Sequence, residues 1–149
     1  MKEKDSLYAY CMNYVQERIT RTQEEISKVQ SSANEETKSS AGDKYETGRA
    51  MAQLEIERNT TQLSEAKKLQ ATMQSLNATR ASDVVIPGSL VTTSKGMFYI
   101  AISMGIVEFD RQKYFVVSVD SPIGKLLMGK KAGDIVTWNN QPYAIQSVE

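Results

Sequence analysis

Histidine is missing altogether from the 149 residues, and cysteine occurs once, as Cys11. Without histidine there is no Ser-His or Cys-His nucleophile pair, no imidazole general base and no zinc site of the Cys/His kind. One thiol cannot build a disulfide framework within a chain. No charge of one sign is in excess either, since 18 basic side chains balance 18 acidic ones. The chain therefore has no global field to draw it onto nucleic acid or an anionic membrane. Long apolar runs are also absent: those around Phe98–Ile102 and Phe115–Val117 fall far short of the ~20 residues of a membrane-spanning helix. The opening Met1-Lys2-Glu3-Lys4-Asp5 has no apolar block of the kind a secretory signal carries. These absences point to a soluble, cytoplasmic protein without membrane contact, of one ordinary domain or two small units.

What is present divides near residues 81–87. All three prolines (Pro87, Pro122, Pro142) and six of the eight glycines follow that point, whereas residues 1–80 hold only Gly42 and Gly48. Helix breakers are thus nearly confined to the second half.

In the first half Tyr8, Met12, Val15, Ile19, Thr22, Ile26 and Val29 recur at alternating steps of four and three, which is a heptad seam. A helix from about Lys4 to Ser31 would be roughly 40 Å long. A second stripe runs through Ala52, Ile56, Asn59, Leu63, Ala66, Leu69, Met73 and Leu76. The polar stretch between them, residues 31–48, interrupts both stripes and lies midway, so the chain is expected to fold back on itself. Residues 1–80 then form an antiparallel coiled-coil hairpin with its tip near 31–49, and the protein is a monomer. Heptads alone favour a dimerisation coiled coil; the polar stretch midway is what argues for the hairpin.

From residue 84 onward the pattern is strand-like. Val84–Ile86, Ser89–Thr93, Met97–Ser103, Lys113–Val119, Asp134–Trp138 and Tyr143–Val148 are short β-branched or aromatic runs set apart by Gly, Pro, Asn or Asp. Ser94-Lys95-Gly96 and Asn139-Asn140-Gln141 read as hairpin turns. One segment differs: Ser121 suits an N-cap, Pro122 the first helical position, Ile123, Leu126 and Leu127 one apolar face, and Gly129 the stop. The spacing predicts a small antiparallel sheet crossed by one short helix, over residues 81–149. Phe98, Ile100, Phe115, Val117, Leu126, Trp138 and Tyr143 are its expected core. The fold class is α+β.

The stretch Ser121-Pro-Ile-Gly-Lys-Leu-Leu-Met-Gly-Lys-Lys-Ala-Gly-Asp134-Ile-Val resembles the C-terminal domain of Gre-type bacterial transcript cleavage factors. The likeness extends back through Val85-Ile-Pro-Gly-Ser-Leu-Val91 and on to Tyr143-Ala-Ile-Gln-Ser-Val-Glu149, covering essentially residues 84–149 in order. It implies an N-terminal antiparallel coiled coil followed by a compact domain like the FK506-binding-protein (FKBP) fold. It further implies that this domain docks at the secondary channel of RNA polymerase, with Ser121, Pro122, Gly124, Lys125, Gly129, Lys130, Lys131, Gly133 and Asp134 as candidates for the docking segment. The coiled-coil tip would reach toward the nascent RNA 3′ end and help the polymerase cut backtracked RNA.

The tip reads Gly42-Asp43-Lys44-Tyr45-Glu46-Thr47-Gly48-Arg49. Asp followed three residues later by Glu, after Gly, matches the family's acidic pair, so the catalytic and metal-holding role transfers to Asp43 and Glu46. The resemblance implies magnesium shared with the polymerase and no cofactor stably bound to the chain alone. Two carboxylates at that spacing share one helix face, and magnesium is commonly held by one or two carboxylates plus phosphate oxygens. The same pair also fits a capping box opening the second helix, and the two roles are compatible. Lys44 and Arg49 are candidate RNA contacts, as a point charge and a fork; Lys38 reads as solvated surface. After Glu46 the chain departs from the family's usual Asn-Ala-Glu-Tyr, and Gly48 costs a helix about 1 kcal/mol relative to Ala.

The implied function is therefore a polymerase accessory factor, not an enzyme in its own right. Alternatives are a Gre-fold regulator or inhibitor without cleavage stimulation, an FKBP-like peptidyl-prolyl isomerase, and a coiled-coil adaptor. Fold alone is a poor guide to activity.

Overall fold

The computed structural model describes residues 2–36, 42–76 and 81–149, with no description of the side chains of residues 33–46. Two 35-residue helices, α1 (Lys2–Glu36) and α2 (Gly42–Leu76), precede a six-stranded sheet. By contact the chain forms two compact units: residues 13–70, and residues 1–12 together with 71–149. The division thus falls within both helices and not at the change of composition near residue 81.

Within the helical unit the seam is antiparallel. Gln70 Nε2 donates to Gln16 Oε1 at 3.1 Å, Arg18 and Glu65 approach to 3.8 Å, and Glu25, Val29 and Ser32 share a groove with Gly48, Ala52 and Glu55. Partner numbers fall along α2 as they rise along α1, which is the signature of a hairpin. Val15, Ile19, Thr22 and Ala66 are buried in the seam, flanked by half-buried Ile26, Val29, Ala52, Ile56, Asn59 and Leu63. Thr22 carries its hydroxyl into this seam by donating to the Arg18 carbonyl at 2.8 Å.

Nearer the start of α1 the expected register is corrected. Leu7 and Cys11 are fully buried, whereas Tyr8 and Met12 are half-buried. An α-helix drifts by about 20° per heptad, and these residues belong to the unit that holds the sheet. There they face a different neighbour from the seam of residues 13–70.

The strands are β1 (Leu90–Thr93), β2 (Gly96–Ala101), β3 (Gly105–Phe109), β4 (Gln112–Ser118), β5 (Ile135–Trp138) and β6 (Gln141–Val148), with α3 (Pro122–Leu127) between β4 and β5. Their order across the sheet is β3-β4-β2-β1-β6-β5. Three antiparallel hairpins make most of it, and β1 pairs with β6. The expectation of a purely antiparallel sheet is corrected at one place: β2 and β4 run parallel, Phe98 beside Phe115 and Ile100 beside Val117. The intervening β3 was not anticipated, and it supplies the chain reversal that makes this pair parallel. Val84–Ile86, expected as a strand, contributes a single bridge from Val84 to Lys131.

The sheet is buried on both faces. One face packs against α3, where Val85, Val91, Phe98, Ile100, Val136 and Ile145 surround Ile123 and Leu127. Phe98 stacks on Phe115 with centroids 5.2 Å apart, and Tyr143 bridges Phe98 and Trp138 edge-on. Leu126, expected in this core, is instead 37% exposed. In so short a helix Ile123 and Leu127, four apart, take the inward positions. The opposite face carries buried Leu90, Tyr99, Val107, Tyr114 and Val116. The first turns of α1 lie against it: Cys11, Tyr8 and Asp5 act on the Tyr99 phenol, whose pKa is raised chiefly by burial. No helix among the described residues is long and apolar enough to cross a membrane.

Candidate functional site

The Ser121–Asp134 segment is built from local requirements that its residues meet one by one. Ser121 is the N-cap of α3: its Oγ accepts from Gly124 N at 3.1 Å and donates to the Ser118 carbonyl at 2.7 Å. Pro122 follows where its missing N–H costs nothing. Gly124 is buried against the end of β4, and a Cβ placed there would lie 2.1 Å from the Ser118 oxygen. Past the helix, Gly129 adopts φ +78°, the left-handed conformation that ends a helix with least strain in glycine. Its N–H then reaches the Val85 carbonyl at 2.9 Å, while Val85 N–H donates to Lys130 O at 2.8 Å.

Asp134 closes the motif. Its Oδ2 accepts from Lys131 N at 2.9 Å, and its carbonyl accepts from Ile145 N at 2.8 Å, beside a Gly133 N–H bond to Ile145 O. The segment is thereby tied to residues 84–85 on one side and to β6 on the other. Ser121, Gly124, Gly129, Gly133 and Asp134 form this frame, and their chemistry is spent on the backbone.

What the frame presents outward is different in kind. Pro122, Lys125, Lys130 and Lys131 are exposed, together with Leu126 and Val84. None of the three lysines makes an ion pair among the described residues. The result is a surface with local positive charge and a small apolar component.

At the other candidate site the backbone alone is described. Asp43, Lys44 and Glu46 lie at the start of α2, their side chains outside the described residues. The helical backbone puts Asp43 and Glu46 at i and i+3. Arg49 follows nearly one turn later and is exposed. No group of three or more metal-ligating side chains occurs among the described residues.

One feature of the domain gave no signal in the sequence reading. A cleft of about 530 Å³ opens between the start of α1 and the second sheet face, with Glu3, Asp110 and Tyr114 among its lining residues. Asp110 and Arg111 form the turn between β3 and β4, at φ 50° and 62°.

The architecture is that of an α+β protein in which a helical hairpin precedes a mixed sheet braced by a glycine-rich capping motif. Residues 80–149 match the family model described as transcription elongation factor, GreA/GreB, C-terminal, and this half of the chain belongs to that family. No curated protein matches the chain at a significant level.

Proposed function

We propose that the chain is a transcription elongation factor that docks on RNA polymerase through the Ser121–Asp134 surface and stimulates cleavage of backtracked RNA through Asp43 and Glu46. The observation that carries this reading is the match of residues 80–149 to the Gre C-terminal domain. It is supported by the length of the helical unit: residues 42–70 of α2 correspond to about 40 Å, ample to reach down a channel to a buried active site. The absence of histidine agrees with a factor that lends carboxylates to another protein's reaction instead of running its own.

In this reading Pro122, Lys125, Lys130 and Lys131 contact the polymerase near its secondary channel, and the glycines and Asp134 hold that surface in shape. Asp43 and Glu46 hold one magnesium jointly with the polymerase; when bound, that ion supplies an acidified water and neutralises charge on the scissile phosphate. The two carboxylates fix the ion from one helix face. Lys44 and Arg49 stand close enough in sequence to steady the RNA 3′ end by its phosphates. The factor works as a monomer in the cytoplasm.

The experiment is cleavage of 3′-end-labelled RNA in a stalled, backtracked complex. Shortened RNA only when both polymerase and this protein are present supports the reading. Binding to the complex with slowed elongation and no shortening supports the inhibitory alternative, for which the Thr47-Gly48-Arg49 departure is the sequence observation. Cleavage by the protein without polymerase would refute both.

A further inference from the structure

The cleft on the second sheet face joins features that elsewhere in the chain occur apart. Glu3 from α1, Asp110 from the β3–β4 turn and Glu149 after β6 bring three carboxylates to its walls, and no basic residue lines it among the described residues. None of the three makes an ion pair among the described residues. Leu90, Met97 and Phe109 give it an apolar floor.

Tyr114 supplies a second, independent observation. Its side chain is 2% exposed and its ring stacks on Phe109 with centroids 4.9 Å apart. The hydroxyl makes no hydrogen bond among the described residues, yet it is not sealed off from solvent. It therefore opens onto the cleft that its ring lines. Burial raises its pKa, and the charges of Glu3 and Asp110 raise it further, which puts those carboxylates within electrostatic reach of the phenol. Its oxygen is thus open to a ligand in the cleft, with an acceptor site and a proton to offer.

A metal ion fits poorly, because the carboxylates do not form a three-ligand group. A cation with an apolar stem satisfies every wall: carboxylates for its charge, a hydroxyl for one N–H, and aromatic and aliphatic surface for its carbon chain. We propose that this cleft binds an alkyl guanidinium or ammonium group between Glu3 and Asp110, with its stem on Leu90 and Phe109 and the Tyr114 hydroxyl accepting a hydrogen bond. The site is separate from the Ser121–Asp134 segment and does not depend on the function proposed above. Such a group is carried by a basic side chain of a partner protein or by a free organic cation.

The test is a titration of the ¹⁵N-labelled full-length protein, at constant ionic strength, with ethylguanidinium chloride and separately with a capped Gly-Arg-Gly peptide. Saturable shifts are expected at the amides of Leu90, Phe109, Asp110 and Tyr114. Glu3→Gln and Asp110→Asn should each weaken binding several-fold, and Asn suits the left-handed turn position of Asp110. Tyr114→Phe should weaken it while keeping the ring stack. Glu108→Gln, the same charge change on β3 but outside the cleft, should leave binding unchanged. Tighter binding of the peptide supports a partner's side chain, and equal or tighter binding of ethylguanidinium supports a free cation. No saturable shift with either probe overturns the proposal, as do shifts that persist in the Glu3→Gln/Asp110→Asn double variant or are reproduced by sodium chloride.

Discussion

Gly124→Ala isolates the physical basis of the C-terminal motif. The added methyl would sit 2.1 Å from the Ser118 carbonyl oxygen and 2.7 Å from Ser121 Oγ. Ordinary carbon–oxygen contacts begin near about 3.3 Å, so α3 must move by about 1 Å away from the end of β4. That movement lifts Ile123 and Leu127 out of a filled core, a strain of roughly 1–3 kcal/mol. It also breaks the Ser121 cap, which bonds both Gly124 N and Ser118 O, for roughly another 1 kcal/mol. The total is about 2–4 kcal/mol. In a unit of this size each kcal/mol lowers the melting temperature by roughly 4–8 °C, so thermal unfolding followed by circular dichroism should fall by about 10 °C or more. Gly129→Ala is the comparison: nothing lies within 4 Å of its Cβ, but its φ is +78°, so it should lose only the roughly 1–2 kcal/mol of left-handed strain. Gly124→Ala melting within about 2 °C of wild type, or above Gly129→Ala, would refute the steric argument.

Cys11 is fully buried and burial pushes its thiol from 9.0 up to about 12, so a thiol reagent at pH 8 should label it only at the rate of unfolding; fast labelling of the native protein would contradict that. Since the folded pKa is the higher one, the thiol's contribution is complete below pH 9.0 and is lost as pH rises toward about 12. The urea midpoint should drop over that window more in wild type than in Cys11→Ala. An isolated fragment of residues 81–149 lacks the α1 turns that cover Tyr99 and Leu90, so it should bind a hydrophobic dye that the full chain does not bind. The full chain should sediment as a monomer; a stable dimer that dissociates when Ile19 and Leu63 are both changed to Asp would show that the seam joins two chains.

The parts of the fold that were legible in the sequence are those whose residues answer local demands. Ser121, Pro122 and Gly129 announce a short helix because each meets a terminal requirement within that helix. The α2 stripe was readable over its length because one partner helix faces most of it. The β3 strand was not, because its turn is made by Asp110 and Arg111 at positive φ where the familiar hairpin signal is Asn-Gly. Nor does strand pattern reveal neighbours: Met97–Ala101 looks the same whether it pairs parallel or antiparallel with Tyr114–Ser118. The cleft was hidden for a related reason. Glu3, Asp110, Tyr114 and Glu149 are distant in sequence, and it takes the pairing of β1 with β2 and β6, and of β4 with β2 and β3, together with the packing of the start of α1, to collect them. At the tip the sequence offers the spacing of Asp43 and Glu46, which the start of α2 at Gly42 places on one helical backbone.

The most direct measurement is transcript cleavage in a stalled, backtracked complex with wild type and Asp43→Asn, each at a concentration giving equal occupancy of the polymerase. Asn preserves size and remains a good N-cap, so helix stability and polymerase binding should be nearly unchanged. The account predicts a loss of cleavage stimulation of at least tenfold, equivalent to about 1.4 kcal/mol in the barrier, partly restored by raising magnesium. Cleavage by Asp43→Asn equal to that of wild type, at equal occupancy, would contradict it.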